Sequence, residues 1–112
     1  MGARDALLVG PFTLQAASGA IDPKKITRNI ITKAGIAVMT IAAPVAGTDD
    51  GIEIYIYSST AFAHTVTSTG NLQTGSASVN TATFAANAGA GLQIMAFNGK
   101  WIVTGQIGIT FS

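Results

Sequence analysis

The stretch LQIMAFNGKWIVT, from Leu92 to Thr104, decides the fold class of this chain. Asn98 and Gly99 stand between two runs that are rich in apolar and β-branched residues. Asn-Gly supplies the two positive φ angles that a type I′ turn requires, and the twist of that turn matches the twist of the strands beside it. The stretch therefore predicts an antiparallel hairpin of two strands.

Strand patterns continue on both sides of this hairpin. Residues 35–42 are rich in β-branched residues and bounded by Gly and Pro, and residues 52–57 alternate strictly. The isoleucines of 52–57 share one face, and Glu53, Tyr55 and Tyr57 share the other, which is typical of a half-buried strand. We also predict strands at 12–16, 63–68, 81–86 and 106–111, and Ile107, Ile109 and Phe111 share one face of the last of these. Residues 26–32 are predicted as a strand or an arm. Loops are predicted at 44–51 and 69–78.

Short strands separated by turn signals predict an all-β fold, either a compact antiparallel sandwich or a jelly-roll-like barrel with an extended N-terminal arm. A chain of 112 residues has room for one domain. We expect the basic segment 1–33 to form the arm or the first strands, and residues 34–112 to form the β-sandwich domain. Asp22-Pro23 is also a helix-start signal, but the β-branched residues that follow favour extended structure.

Charged residues are rare: they make up 10% of the chain, against about 25% of ordinary soluble domains. None lies between Ile54 and Gly99. A soluble monomer normally keeps its surface charged, so this neutral surface indicates that other subunits cover part of it. The alternative is a Thr-rich surface that is simply solvated. The first 33 residues carry a net charge of +3 and the rest −2, which is typical of a basic arm that meets an acidic partner or of a solvated leader.

Composition argues against several classes of protein. The longest nearly apolar run, 34–46, contains Thr40 and Pro44 and is shorter than the about 20 residues needed to span a membrane. The N-terminus lacks the layout of a signal peptide. Cysteine is absent, which agrees with synthesis in a reducing cytoplasm. The basic residues are scattered and not interleaved with aromatic residues, so they do not indicate nucleic-acid binding.

Residues that carry catalysis or hold metals are few. His64 is the only histidine, and its Thr-rich alternating stretch favours a cross-strand or surface position over a metal ligand or a catalytic triad. Asp49-Asp50-Gly51 is more typical of a tight turn than of a calcium loop. We therefore predict that the chain is not an enzyme and has no catalytic residue, metal site or cofactor.

Three segments, taken in order, resemble a family of small structural proteins of tailed phages and prophages. They are ITKAGIAVMTIAAP running into GTDDG (31–51), TAFAHTVT (60–67) and GAGLQIMAFNGKW (89–101), and the similarity covers about residues 31–104. Such modules occur in capsid decoration (cement) proteins and in parts of fibres or spikes. The resemblance implies a decoration protein that binds the major capsid protein as a homotrimer, on the outer capsid surface of the virion, and is made in the host cytoplasm.

Under this interpretation the basic N-terminal third docks on the capsid, and we expect that contact at Arg4, Phe12, Lys24, Lys25, Arg28 and Lys33. We expect the contact between copies at Tyr55, Tyr57, Phe97 and Trp101, although Trp101 also suits a core position. Neither a membrane nor a nucleic acid is an expected partner. The alternative function is a receptor- or glycan-binding module of a tail fibre or spike, which would use Tyr55, Tyr57 or Trp101.

Overall fold

The computed structural model describes residues 12–23 and 28–112, and it confirms the predicted all-β fold. One curled sheet forms a half-barrel, and the described ranges contain no helix that could cross a membrane. The strands of these two ranges are β1 Phe12–Gln15, β2 Gly19–Ile21, β3 Arg28–Ile31, β4 Val38–Ile41, β5 Glu53–Ser58, β6 Thr65–Gln73, β7 Ser78–Phe84, β8 Gly91–Phe97, β9 Lys100–Ile107 and β10 Ile109–Phe111.

The strand order is β1-β3-β5-β8-β9-β6-β4-β2, with β7 beside β6 and β10 beside β7. We call β1, β3 and β5 the first wing, and β2, β4 and β6 the second wing. Neighbours within each wing are parallel, and so are β6 and β9, whereas β5–β8, β8–β9, β6–β7 and β7–β10 are antiparallel. The sheet is therefore mixed, where the sequence predicted antiparallel pairing. Parallel neighbours depend on long crossover connections, which local turn signals do not encode.

The chain crosses from the first wing to the second three times, through residues 16–18, 32–37 and 59–64. The strands β1 and β2 lie at opposite ends of the strand order, yet only the three residues 16–18 separate them. The four Cα–Cα steps from Gln15, the last residue of β1, to Gly19, the first residue of β2, span at most about 14 Å. The sheet must therefore curl so that the end of β1 and the start of β2 come close together. The segment 1–33, predicted as an arm or as the first strands, supplies strands β1, β2 and β3 of the same sheet, and residues 1–11 and 24–27 lie outside the described part.

The core fills the inside of this curl. Ile54 and Ile56 are buried, as the alternation of residues 52–57 predicted. Trp101 has 0% of its surface exposed, and its indole N–H donates a hydrogen bond of 2.9 Å to the Ala42 carbonyl. Trp101 is therefore a core residue, which corrects its assignment to the contact between copies.

Both central residues of the predicted hairpin turn have positive φ, 51° at Asn98 and 79° at Gly99. The turn joins β8 to β9, as predicted. The Asp49-Asp50 pair forms the expected turn beside it. Asp49 Oδ2 accepts the Val45 N–H at 2.7 Å, and Asp50 Oδ1 accepts the Asn98 N–H at 2.9 Å. The two carboxylates thus satisfy backbone donors and connect the loop to the hairpin.

Two local predictions are wrong. Residues 69–73 belong to β6 rather than to a loop, because Leu72 is fully buried and pairs with Trp101. At Gly108, which has a φ of 66°, the predicted last strand is divided into β9 and β10. Ile107 is consequently 67% exposed, while Ile109 and Phe111 pack against the core.

His64 joins two of the crossings, and it is fully buried rather than on the surface. Its Nδ1 accepts the Ala37 N–H at 3.0 Å, and its Nε2 lies 2.9 Å from Thr60 Oγ1. The Thr60 hydroxyl already donates to the Lys33 carbonyl at 2.8 Å, so Nε2 must carry the proton in the second contact. Both ring nitrogens are therefore satisfied only in the neutral Nε2–H form, and burial lowers the pKa of His64.

This geometry predicts a loss of stability in mild acid. The unfolded chain takes up a proton on His64 near its ordinary pKa of about 6.5, whereas the folded chain does so only at lower pH. The unfolded state then binds more protons, so the free energy of unfolding should fall as the pH drops from 7 to 5, with urea unfolding as the measurement. His64→Asn, whose Oδ1 can accept the Ala37 N–H, should remove most of this slope. An unchanged slope in the variant would contradict the assignment.

Candidate functional site

The outward side of the first wing and its neighbours β8 and β9 forms the candidate site, which we call the outer face. The inward residues of β5 and β8 are buried, so the residues between them point away from the core. Directly opposite residues in a ladder share a face of the sheet. The register places two rows there: Leu14–Ile30–Tyr57–Gly91–Ile107 and Phe12–Arg28–Tyr55–Gln93–Gly105.

The first of these rows, which we call the apolar row, crosses five strands without a polar side chain other than the tyrosine hydroxyl. Its ends are the most open: Leu14 is 60% exposed and Ile107 is 67% exposed. Ile30 and Tyr57 between them are half-buried. Scattered exposed apolar residues are ordinary, but a continuous line of them across a sheet is typical of a contact with another molecule.

Tyr57 lies flat over the backbone of Gly91, its partner on β8. Its hydroxyl accepts a hydrogen bond of 3.2 Å from the Gln93 amide, and its ring stacks near Tyr55 with centroids 6.4 Å apart. A side chain at position 91 would occupy the space of the ring, which explains the glycine there. The tyrosine rings are therefore held in place before any partner binds.

One charge of each sign lies close to Tyr55: Arg28 in the second row, and Glu53 two residues earlier on β5. The Arg28 guanidinium carbon lies 6.0 Å from the Tyr55 ring centroid, within the range of a cation–π contact. The Tyr55 hydroxyl donates a 2.8 Å hydrogen bond to Glu53 Oε1, and this bond raises the pKa of Tyr55. The outer face thus carries few charges: Arg28 and Glu53 beside the Tyr55 ring, and Lys100 opposite Phe97 at the hairpin.

The structure brings together residues that the sequence assigned to two separate surfaces. Phe12 and Arg28, expected on the capsid contact, lie in the same row as Tyr55, expected between copies. Phe97 is 56% exposed on the same side of β8, next to the Asn98-Gly99 turn. Lys33 lies apart in the second crossing, and Arg4, Lys24 and Lys25 lie outside the described residues.

Sequence reasoning missed the aliphatic members of the apolar row: Leu14, Ile30 and Ile107. Each has an apolar side chain in a predicted extended segment, but its face depends on which strands are neighbours.

No group of three metal-binding side chains occurs in ranges 12–23 and 28–112. Comparison with models of known protein families and with curated proteins gives no match for this chain. The chemistry of the outer face is that of a protein contact: apolar, aromatic and nearly neutral.

The contact between Gly91 and Tyr57 gives a direct stability test. We expect Gly91→Ala to destabilise the fold by about 1–3 kcal/mol, because the added methyl overlaps the Tyr57 ring and displaces it from its packed position. Gly91 does not have a positive φ, so the backbone itself accepts alanine. In a Tyr57→Ala background the same substitution should cost less than about 0.5 kcal/mol, since its obstacle is gone. Urea unfolding of the four proteins measures this, and an equal cost in both backgrounds would contradict the packing.

Proposed function

We propose that this chain is a decoration protein of a tailed-phage capsid, which binds the outer surface of the shell as a homotrimer and stabilises it. The observation that carries the proposal is the apolar row of the outer face, which extends from Leu14 to Ile107 and ends in exposed side chains. The resemblance of residues 31–104 to phage structural proteins supports the same class of function. Both point to a chain that acts by contact with other proteins.

The charge distribution supports this class of function. Burying a charged side chain in a protein contact requires a partner charge, whereas apolar and threonine side chains can be covered at little cost. On the outer face Tyr57 and Ile107 offer apolar area, and Arg28 and Lys100 are its basic side chains among the described residues. A shell displays many identical positions, so a modest contact repeated by a multivalent oligomer gives firm attachment. A protein that binds only the assembled shell stabilises that state.

The alternative is the glycan-binding module of a fibre or spike, which would stack a sugar on exposed aromatic rings. Tyr55 has the Arg28 guanidinium over its ring, and Tyr57 has its ring against Gly91. Trp101 is buried and offers no ring face at all. Each tyrosine thus already uses part of its ring within the chain, and for this reason we prefer the capsid contact.

A binding experiment with capsids assembled without this chain tests the proposal. The purified chain should co-sediment with them, and Ile107→Lys should lower its affinity at least tenfold, because the lysine places an unpaired charge at the end of the apolar row. Val38→Lys is the matched control: Val38 is an exposed β-branched residue on β4, in the second wing, and its substitution should leave the affinity unchanged.

Two results would contradict the proposed function. One is the absence of any binding to the capsids, together with binding to defined glycans on an array. The other is equal loss of affinity in Ile107→Lys and Val38→Lys, which would mean that the outer face has no special part. Circular dichroism and urea unfolding of both variants establish that each one folds.

A further inference from the structure

Among the described residues β1 ends the sheet, and one of its edges has backbone groups without a partner in those residues. The Gln15 carbonyl accepts the Thr32 N–H at 2.9 Å, so the backbone of Gln15 points toward β3. Backbone groups alternate between the two sides of a strand. Thr13 therefore points toward β3 as well, and Phe12 and Leu14 direct their N–H and C=O groups away from the sheet. No strand of the described residues pairs with this side of β1.

Apart from its short length, this edge lacks the features that usually prevent pairing with another chain. Proteins protect edge strands with charged side chains, proline or bulges. The sequence of β1 is Phe-Thr-Leu-Gln, without charge or proline, and its register with β3 is regular over all four residues. Phe12 and Leu14, whose backbone groups are unpaired, also expose 41% and 60% of their side chains. The edge therefore offers hydrogen bonds and apolar area at the same two residues.

We infer that β1 pairs with β1 of a second copy of this chain, antiparallel, about a two-fold axis at Thr13. In this register Phe12 of each copy lies opposite Leu14 of the other, and each such pair exchanges both backbone hydrogen bonds. All of the outward groups of Phe12 and Leu14 are then satisfied. A two-fold contact closes on itself, and in the antiparallel register both copies use the same backbone groups of Phe12 and Leu14.

This arrangement also extends the outer face. The apolar row ends at Leu14, and the two-fold pairing places Phe12 of the second copy directly beyond it. The inference rests on the proposed role of the chain as an assembling subunit, and it names one of its contacts. A two-fold contact can act alone or join trimers pairwise. Because β1 has four residues, the contact is small, and the association of free chains is expected to be weak.

A cysteine crosslink detects such a contact even when it is weak. The natural chain has no cysteine, so one substitution gives a unique thiol. At the two-fold axis the two copies of residue 13 form a non-hydrogen-bonded pair, with Cα atoms about 4.5 Å apart, which lies within the range of a disulfide. Under mild oxidation the purified full-length Thr13→Cys variant should form a covalent dimer on a non-reducing gel. Thr110→Cys, on β10, is the control: it is more exposed than Thr13 and should stay monomeric.

Two further variants separate edge pairing from random collision. Leu14→Pro, in the Thr13→Cys background, removes an N–H that points to the free edge and leaves the bonds to β3 intact. It should abolish the crosslink with an unchanged circular dichroism spectrum, whereas Leu14→Val, which keeps the N–H, should retain it. A Thr13→Cys crosslink no faster than that of Thr110→Cys, or one unaffected by Leu14→Pro, overturns the inference. So does a crosslink that forms only after residues 1–11 are deleted, because the chain itself would then occupy the edge.

The crosslink is measured on the purified chain without capsids. Its failure therefore overturns the two-fold contact and leaves the capsid-binding experiment unaffected. Conversely, a chain that crosslinks at residue 13 but does not bind capsids retains the contact and loses the proposed function.

Discussion

The structure depends on how the chain satisfies its backbone at the three crossings between the wings. At a crossing the chain leaves one strand of the sheet for another, so its N–H and C=O groups have no regular ladder to join and need other partners where they are buried, as at Ala37. Side chains provide the missing partners. His64 accepts the Ala37 N–H, the Ser18 hydroxyl accepts the Val38 N–H at 2.9 Å, and the Ser59 hydroxyl donates to the Ile31 carbonyl at 3.0 Å. Each crossing is thereby fixed to the next one.

These side chains also explain why the parallel wings can form in so short a chain. A parallel pair brings together residues that are far apart in sequence, so the entropic cost of closing the connection precedes any gain from hydrogen bonds. The buried contact from Thr60 through His64 to Ala37 joins the second and third crossings directly. It needs a neutral imidazole in the Nε2–H tautomer, in which one ring supplies both the acceptor and the donor.

The features that the sequence predicts well are those determined by neighbours along the chain. The Asn98-Gly99 turn, the inward isoleucines of β5 and the Asp49-Asp50 turn each depend on a few consecutive residues, and each is found as predicted. The errors concern long-range pairing. Residues 69–73 look like a loop because they are polar, but Leu72 has a buried partner at Trp101, some thirty positions later in the sequence.

The same limit applies to the candidate site. The outward position of Tyr55 and Tyr57 follows from alternation alone, and it was predicted. Phe12 and Arg28 were predicted as surface residues, but their place beside the tyrosines follows from the parallel order β1-β3-β5, which no local pattern contains. Chain order therefore suggested a basic arm and an aromatic surface as two sites, and the wings merge them into one. A face built from strands that are distant in sequence cannot be recognised before the strand order is known.

Strand pairing also accounts for the segment from Ile54 to Gly99 that lacks charge. On the second wing and β7, several outward positions of neighbouring strands are threonines placed opposite each other, as at Thr67 and Thr81, whose hydroxyls lie 3.1 Å apart, although Val38 is also exposed there. A β-branched side chain with a hydroxyl suits an outward strand position, because it restricts the backbone to extended conformations and still binds water. Threonine thus keeps the second wing hydrated without ions, whereas the apolar row leaves the outer face poorly hydrated. This difference between two surfaces of low charge is what singles out the outer face, because low charge by itself describes both.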